Sequence, residues 1–287
     1  MLELRSGKRA QPRRIVLYGE HGVGKSTWAA SAKGAVFVDI EGGLDDIDCR
    51  SFRATTLQEV KEAVLMADQV DGIRWLVIDS ADWLEALIWQ DLCQSENRQS
   101  ILEVGGGFGK GYLGAAAKFE AILNTLDTLR AKGIGVIILA HAKIARFESP
   151  DGPAYDRFQP ALHDRASAML LEWADEVLFA TTRIVTKTED AGFGRTRNIA
   201  IGGADRVLKT ASSATCVAKN RLGLPPEIPM VWSDYAKFLT PWDTHKPGST
   251  VPSQSVSKSL AVQEMESLFG DGDVAGIVVG GSSKVAT

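Results

Sequence analysis

Residues 14–27 read Arg14-Ile-Val-Leu-Tyr18-Gly19-Glu20-His21-Gly22-Val23-Gly24-Lys25-Ser26-Thr27, and the order of residue types in them decides the fold. The apolar run at 15–18 is what a short strand buried on both faces requires. It leads into a glycine-punctuated turn with the spacing GxxxxGK[ST], and a helix is expected to begin at Ser26. Strand, glycine loop and helix in that order form the context in which this spacing binds phosphate. The glycines allow successive backbone N–H groups to point at an anion. Lys25 reaches the outer phosphates of a polyphosphate, and the Ser26 hydroxyl ligates Mg²⁺. A chance match to the pattern in a chain of this size is on the order of one in a hundred. Gly19, Glu20, His21, Gly22, Val23, Gly24, Lys25, Ser26 and Thr27 are therefore the expected nucleotide-binding residues, with ATP and Mg²⁺ as cofactors.

Outward from this loop, apolar runs recur at 35–40, 75–78 and 134–140. Continuous runs of this length predict strands of a mostly parallel sheet, covered by helices on both faces. Between them, Thr56-Leu-Gln-Glu59 is a capping box opening a helix to about residue 70, and helices are expected over 83–95 and 115–132. Beyond residue 171 the texture changes to short β-rich runs that predict antiparallel strands. The expected fold class is α/β, a P-loop nucleoside triphosphatase with a mostly parallel central sheet flanked by helices and C-terminal antiparallel strands. Residues 1–14 carry five basic side chains against Glu3 and read as a basic arm. Residues 15–240 read as the core, and 241–287, rich in Pro, Ser and Gly and net acidic, as a flexible tail.

Composition narrows the class. With 45% apolar and 24% charged residues the chain is an ordinary globular one, and a net charge of −4 excludes a bulk polycation. Cys49, Cys93 and Cys216 stand far apart, which excludes a disulfide framework and predicts a reducing, cytoplasmic setting. No apolar run approaches the roughly 18 residues that span a bilayer, so no membrane partner is expected.

Carboxylates at strand ends divide the phosphate-loop proteins. Trp75-Leu-Val-Ile-Asp79-Ser80 ends an apolar strand in Asp, the Walker B arrangement, so Asp79 and Ser26 are the expected Mg²⁺ residues. Glu41, at the end of Val36-Phe-Val-Asp-Ile-Glu41, is placed to face the outer phosphate and orient an attacking water. Here the sequence resembles the RecA-like ATPases, whose equivalent strand ends in D-x-E with a water-activating glutamate. The resemblance implies a phosphate sensor at the end of the 134–140 strand, which here is His141. It also implies basic residues reaching a neighbouring subunit's ATP. Val217-Ala-Lys219-Asn220-Arg221 is similar to that motif, and Lys219 and Arg221, at i and i+2 of an expected strand, would share one face. With Lys25, these residues make up the expected catalytic set: Glu41, Lys25, His141, Lys219 and Arg221.

Three regions are candidates for nucleic acid. Gly105-Gly-Gly-Phe108-Gly-Lys110-Gly-Tyr112 joins aromatic rings and a lysine on a glycine-rich backbone able to stack bases or meet phosphates. Residues 143–165, with Arg146 and Arg157, follow the sensor strand but carry as many acidic as basic groups. Residues 183–221 carry eight basic residues against three acidic, leaving Lys187, Arg195, Arg197, Arg206 and Lys209 as phosphate-contact candidates. The GKGY loop, Tyr155-Asp-Arg157-Phe158, Lys219-Asn-Arg221 and the following Leu-Pro-Pro are similar to the compact RecA-type recombinases of bacteriophages. The resemblance spans about residues 14–240. It implies a DNA-stimulated ATPase acting in single-strand annealing and recombination. It further implies single-stranded DNA, a second copy of itself in a ring or filament and a single-strand-binding protein as partners, and the host cytoplasm as location. Two other readings share the loop: a non-enzymatic ATP switch or helicase-loader adaptor, and a small-molecule kinase, for which no clear arginine lid is found.

Overall fold

The computed structural model describes residues 10–150, 152–183, 185–190, 196–201 and 205–239, with the backbone alone in 185–190 and 196–201. Arg195, most of the basic arm and the 241–287 tail lie outside the described residues. The chain alternates strands and helices. β1 (Arg14–Gly19) passes through the phosphate loop into α1 (Lys25–Ala30), followed by β2 (Ala35–Asp39), β3 (Arg50–Arg53), α2 (Leu57–Met66), β4 (Trp75–Asp79) and α3 (Ala81–Ser95). Then come α4 (Lys110–Ala131), β5 (Gly135–Phe147), β6 (Tyr155–Pro160), α5 (Asp164–Trp173) and β7 (Glu176–Thr182). β8 (Val185–Asp190) and β9 (Thr196–Ile201) form a separate two-stranded sheet, and β10 (Arg206–Lys209), β11 (Glu227–Pro229) and α6 (Trp232–Ala236) follow.

Six strands run parallel in the order β7-β1-β5-β4-β2-β3. β10 and β11 extend the β7 side antiparallel, and β6 pairs antiparallel with the outer half of β5. This is the α/β fold class expected from the sequence. Alternation along each strand divides the interior in two. Val16, Tyr18, Val38, Ile78 and Ile138 face the core under α2, α3, α4 and α5. Ile15, Leu17, Phe37, Val77 and Leu139 face a second core that holds Trp28 of α1 and Tyr235 of α6. Each such side chain removed from water contributes about 1.5–3 kcal/mol, so both faces hold the strand ends in fixed register. Among the described residues, no helix is long and apolar enough to cross a membrane.

The capping box is present, with Thr56 accepting from the Glu59 N–H and Glu59 answering at the Thr56 N–H. Three expectations need correction. α4 begins at Lys110, five residues before the expected start, although Gly111 and Gly114 are poor helix formers. Packing overrides propensity there, because a Cβ on Gly111 would lie 2.0 Å from the carbonyl oxygen of Ile101. Residues 143–165 are an extended β5–β6 hairpin leading into α5, since β5 continues through Phe147. The 217–221 segment is not a strand, and holds to its neighbours through isolated bridges at Cys216 and Lys219.

Candidate active site

A parallel sheet brings the carboxyl ends of its strands to one edge, where ligands of such folds bind. Gly19 stands opposite His141, and Asp39 opposite Asp79, in the ladders. β5, between β1 and β4, places His141 between the phosphate loop and the Walker B carboxylate. The cleft at this edge has a volume of about 390 Å³ and is lined by the loop, Glu41, Asp79, His141 and Arg206. Gly24 takes φ 99°, a left-handed conformation natural to glycine.

Lys25 is buried, and its ammonium donates to the carbonyls of Gly19 (3.1 Å) and Glu20 (2.9 Å). Burial lowers its pKa, opposed by the charges of Asp79, Asp82 and Glu41. The Ser26 hydroxyl donates to Asp79 Oδ2 at 2.7 Å. Burial pushes Asp79 up to about 6, opposed by the Ser26 hydrogen bond and reinforced by the neighbouring Glu41 and Asp39. A buried carboxylate crowded by like charges and paired with a hydroxyl is a donor set that fits Mg²⁺.

The two acids of the β2 end have separate tasks. Asp39 accepts from the Gly42 N–H (2.7 Å) and pairs with Arg53 (3.3 Å), which fixes the turn after the strand. Glu41 lines the cleft, its Oε1 lying 3.8 Å from His141 Nε2. His141 is held from behind by Asp82, whose two oxygens take its backbone N–H (3.0 Å) and its Nδ1 (2.8 Å). Burial works to raise the Asp82 pKa, but the hydrogen bonds from His141 outweigh it and hold the carboxyl below its ordinary value. A carboxylate on Nδ1 fixes the ring and leaves Nε2 facing the cleft. His21 of the loop stacks on His141, with centroids 3.7 Å apart and planes at 21°. His21, Glu41 and His141 bring three potential metal ligands together.

The sequence missed Asp82, whose only signal is a carboxylate in the first turn of the helix that follows Asp79. It also missed Glu85, one turn further along α3. Both Glu85 oxygens accept from the His163 N–H, at 3.1 and 3.0 Å, and burial pushes its pKa up to about 7. The His163 ring stacks on Tyr112 at 4.4 Å.

Several expected site residues are occupied elsewhere. Lys219 and Arg221 do not share a strand face, and they flank the start of β7, at the edge of the sheet opposite the phosphate loop. The Lys219 ammonium donates to the carbonyls of Leu171 (3.0 Å), Glu172 (2.9 Å) and Ala174 (2.6 Å), capping the carboxyl end of α5. Arg221 pairs with Asp175 at 3.0 Å, a carboxylate that also holds Arg14 and Arg130. Among the nucleic-acid candidates, Lys209 is bound by Glu227, which also binds Arg183. Arg146 pairs with Glu148 (3.3 Å), and the Arg157 guanidinium lies 3.9 Å over the Phe147 ring. Tyr112 stacks on His163 and meets Trp89 edge-on, whereas Phe108 is fully exposed. Lys110 is exposed in the first turn of α4. Lys187 and Arg197 fall in β8 and β9, whose side chains are outside the description, and Arg206 lies in the phosphate cleft.

A parallel α/β sheet with a phosphate loop after its first strand, a hydroxyl–carboxylate pair across it and a glutamate at the next strand end defines a P-loop ATPase. Residues 11–222 match the family model described as the AAA domain, and the chain belongs to that family. The family takes ATP, typically with Mg²⁺. No curated protein matches the chain.

Proposed function

We propose that this protein is a Mg²⁺-dependent ATPase of the RecA-like kind that acts on single-stranded DNA in annealing and recombination. One observation carries the hydrolytic part: Glu41 and His141 lie side by side, 3.8 Å apart, in the cleft that Lys25, Ser26 and Asp79 line. Bound Mg²⁺ would neutralise phosphate charge between Ser26 and Asp79. Lys25 holds the phosphates, Glu41 takes a proton from water as general base, and His141, positioned by Asp82, meets the outer phosphate. The DNA part is supported by the exposed Phe108 on its glycine loop and by the sequence resemblance of that loop to phage recombinases. Single-stranded DNA, a second copy of this chain and a single-strand-binding protein are the partners this reading implies.

The engagement of Lys219 and Arg221 within their own subunit favours a second reading, an ATP switch or loader-type adaptor with slow turnover. Steady-state ATP hydrolysis with and without single-stranded DNA, at low and moderate salt, separates the two. The recombinase reading expects stimulation of about tenfold that fades with salt as phosphate contacts are screened. Turnover unchanged by DNA rejects it in favour of the switch. Glu41→Gln is expected to retain ATP binding and lose at least about 100-fold in kcat. Equal hydrolysis by the variant refutes the role of Glu41.

A further inference from the structure

We propose that Arg206 is a cation of the nucleotide site, supplied in cis, which contacts the phosphate chain of a triphosphate bound on the loop of its own subunit. The inference rests on the ATPase reading and adds to it a residue that the sequence pattern assigned to nucleic acid.

The topology brings Arg206 to the loop. β7 runs parallel to β1, so both end at the edge where the phosphate loop begins. β10 returns antiparallel to β7 with Arg206 opposite Thr182, which puts the first residue of β10 at that same edge. Its backbone is fixed on both sides. The Arg183 N–H donates to the Asp205 carbonyl (2.8 Å), and the Met230 N–H to that of Arg206 (2.9 Å). Val207 and Leu208, the next two residues, are buried. The side chain therefore extends from a rigid base.

Its guanidinium lies over Gly24. A Cβ at that position would stand 2.8 Å from Arg206 Nη1, so the absent side chain of Gly24 is what lets the two meet. Arg206 lines one cleft together with Lys25, Ser26, Glu41 and Asp79, and it also borders a groove formed with Trp28, Met230 and Trp232. Charge accounting on this side of the sheet points the same way. Arg183 and Lys209 are both consumed by Glu227, whereas among the described residues Arg206 has no ion-pair partner. A planar guanidinium held over an anion-binding loop is suited to bidentate contact with phosphate oxygens. The position does not require a neighbouring subunit, in contrast to the trans role that resemblance assigned to Lys219 and Arg221.

The test uses the full chain and measures ATP affinity and kcat/KM for Arg206→Gln and Arg206→Lys, with thermal melting as the control for folding. Arg206→Gln is expected to lose about tenfold to 100-fold in kcat/KM, the effect of removing a charge-assisted hydrogen bond, and Arg206→Lys to recover part of it. Wild-type kinetics in Arg206→Gln overturn the proposal. Should that variant fail to melt cooperatively, Arg206→Met, which keeps the apolar stem and removes the charge, takes its place, and wild-type kinetics there overturn the proposal. Mixing Arg206→Gln with Lys25→Ala separates cis from trans. A cis arginine gives no recovery, because one protein lacks the arginine and the other the loop lysine. Recovery of activity in the mixture overturns the cis assignment. A wild-type protein that neither binds nor hydrolyses ATP rejects the underlying ATPase reading instead, an outcome distinct from a silent Arg206 variant.

Discussion

Replacing Glu85 by Gln should make the protein more stable in mild alkali and leave it nearly unchanged in acid. Glu85 is 7% exposed and, among the described residues, accepts only from a backbone N–H, that of His163. Burial pushes its pKa from 4.5 up to about 7, with the His163 hydrogen bond and the charge of Lys143 opposing and that of Asp82 adding. Between those values the native state holds a proton that the unfolded chain releases. The stability this provides is complete below pH 4.5 and is lost as pH rises through about 7. At about 1.36 kcal/mol per pH unit the full shift corresponds to about 3 kcal/mol. Residual solvent contact of the carboxylate brings the expected cost of ionisation nearer 2 kcal/mol. Gln retains an acceptor for the His163 N–H and has no charge to desolvate. Urea unfolding followed by tryptophan fluorescence from pH 4.5 to 8.5 should show the two proteins converging at the acid end. At pH 8, Glu85→Gln should lead by about 2 kcal/mol with an unchanged denaturant slope. A stability difference constant across the range, or a variant weaker than wild type at pH 8, would refute the reasoning.

Lys219→Met removes the donor that three carbonyls at the end of α5 share. A loss of about 1–3 kcal/mol is expected, seen as a fall of several degrees in the thermal midpoint, and an unchanged midpoint contradicts the capping role. Asp79, raised to about 6, must be ionised to join Ser26 in holding Mg²⁺. Calorimetric titration of the ATP-loaded protein should therefore find Mg²⁺ bound about tenfold more weakly at pH 5 than at pH 7.5. Equal affinity at both values would remove Asp79 from the metal site.

What the sequence disclosed is what lies within a few residues of its own signal. The phosphate loop, the β4 end at Asp79 and the β2 end at Glu41 each carry an apolar run and a polar terminus in one short segment, and the sheet follows from those runs. The capping box of α2 is legible for the same reason. Residues defined by partners distant in the chain were not legible. Arg206 lies 182 positions from Gly24, and only the return of β10 along β7 brings them together. Lys219 matches a motif by spacing, yet its ammonium goes to α5 carbonyls more than 40 positions earlier. The early start of α4 depends on a close approach to Ile101 that helix propensity cannot anticipate.

The same distinction applies along α3, which contacts two candidate regions at once. Asp82 and Glu85, one turn apart on this helix, bind the backbone and ring of His141 and the backbone of His163 respectively. The His163 ring stacks on Tyr112, three residues beyond Gly109 at the end of the glycine loop that exposes Phe108. Leu84 and Ile88, on the buried side of α3, pack into the core under the sheet and hold the helix against it. α3 thus contacts both the histidine at the phosphate edge and the segment whose ring packs on Tyr112. Asp82 and Glu85 each read in isolation as an ordinary solvated helix charge, and only the fold shows one bound to His141 and the other to His163.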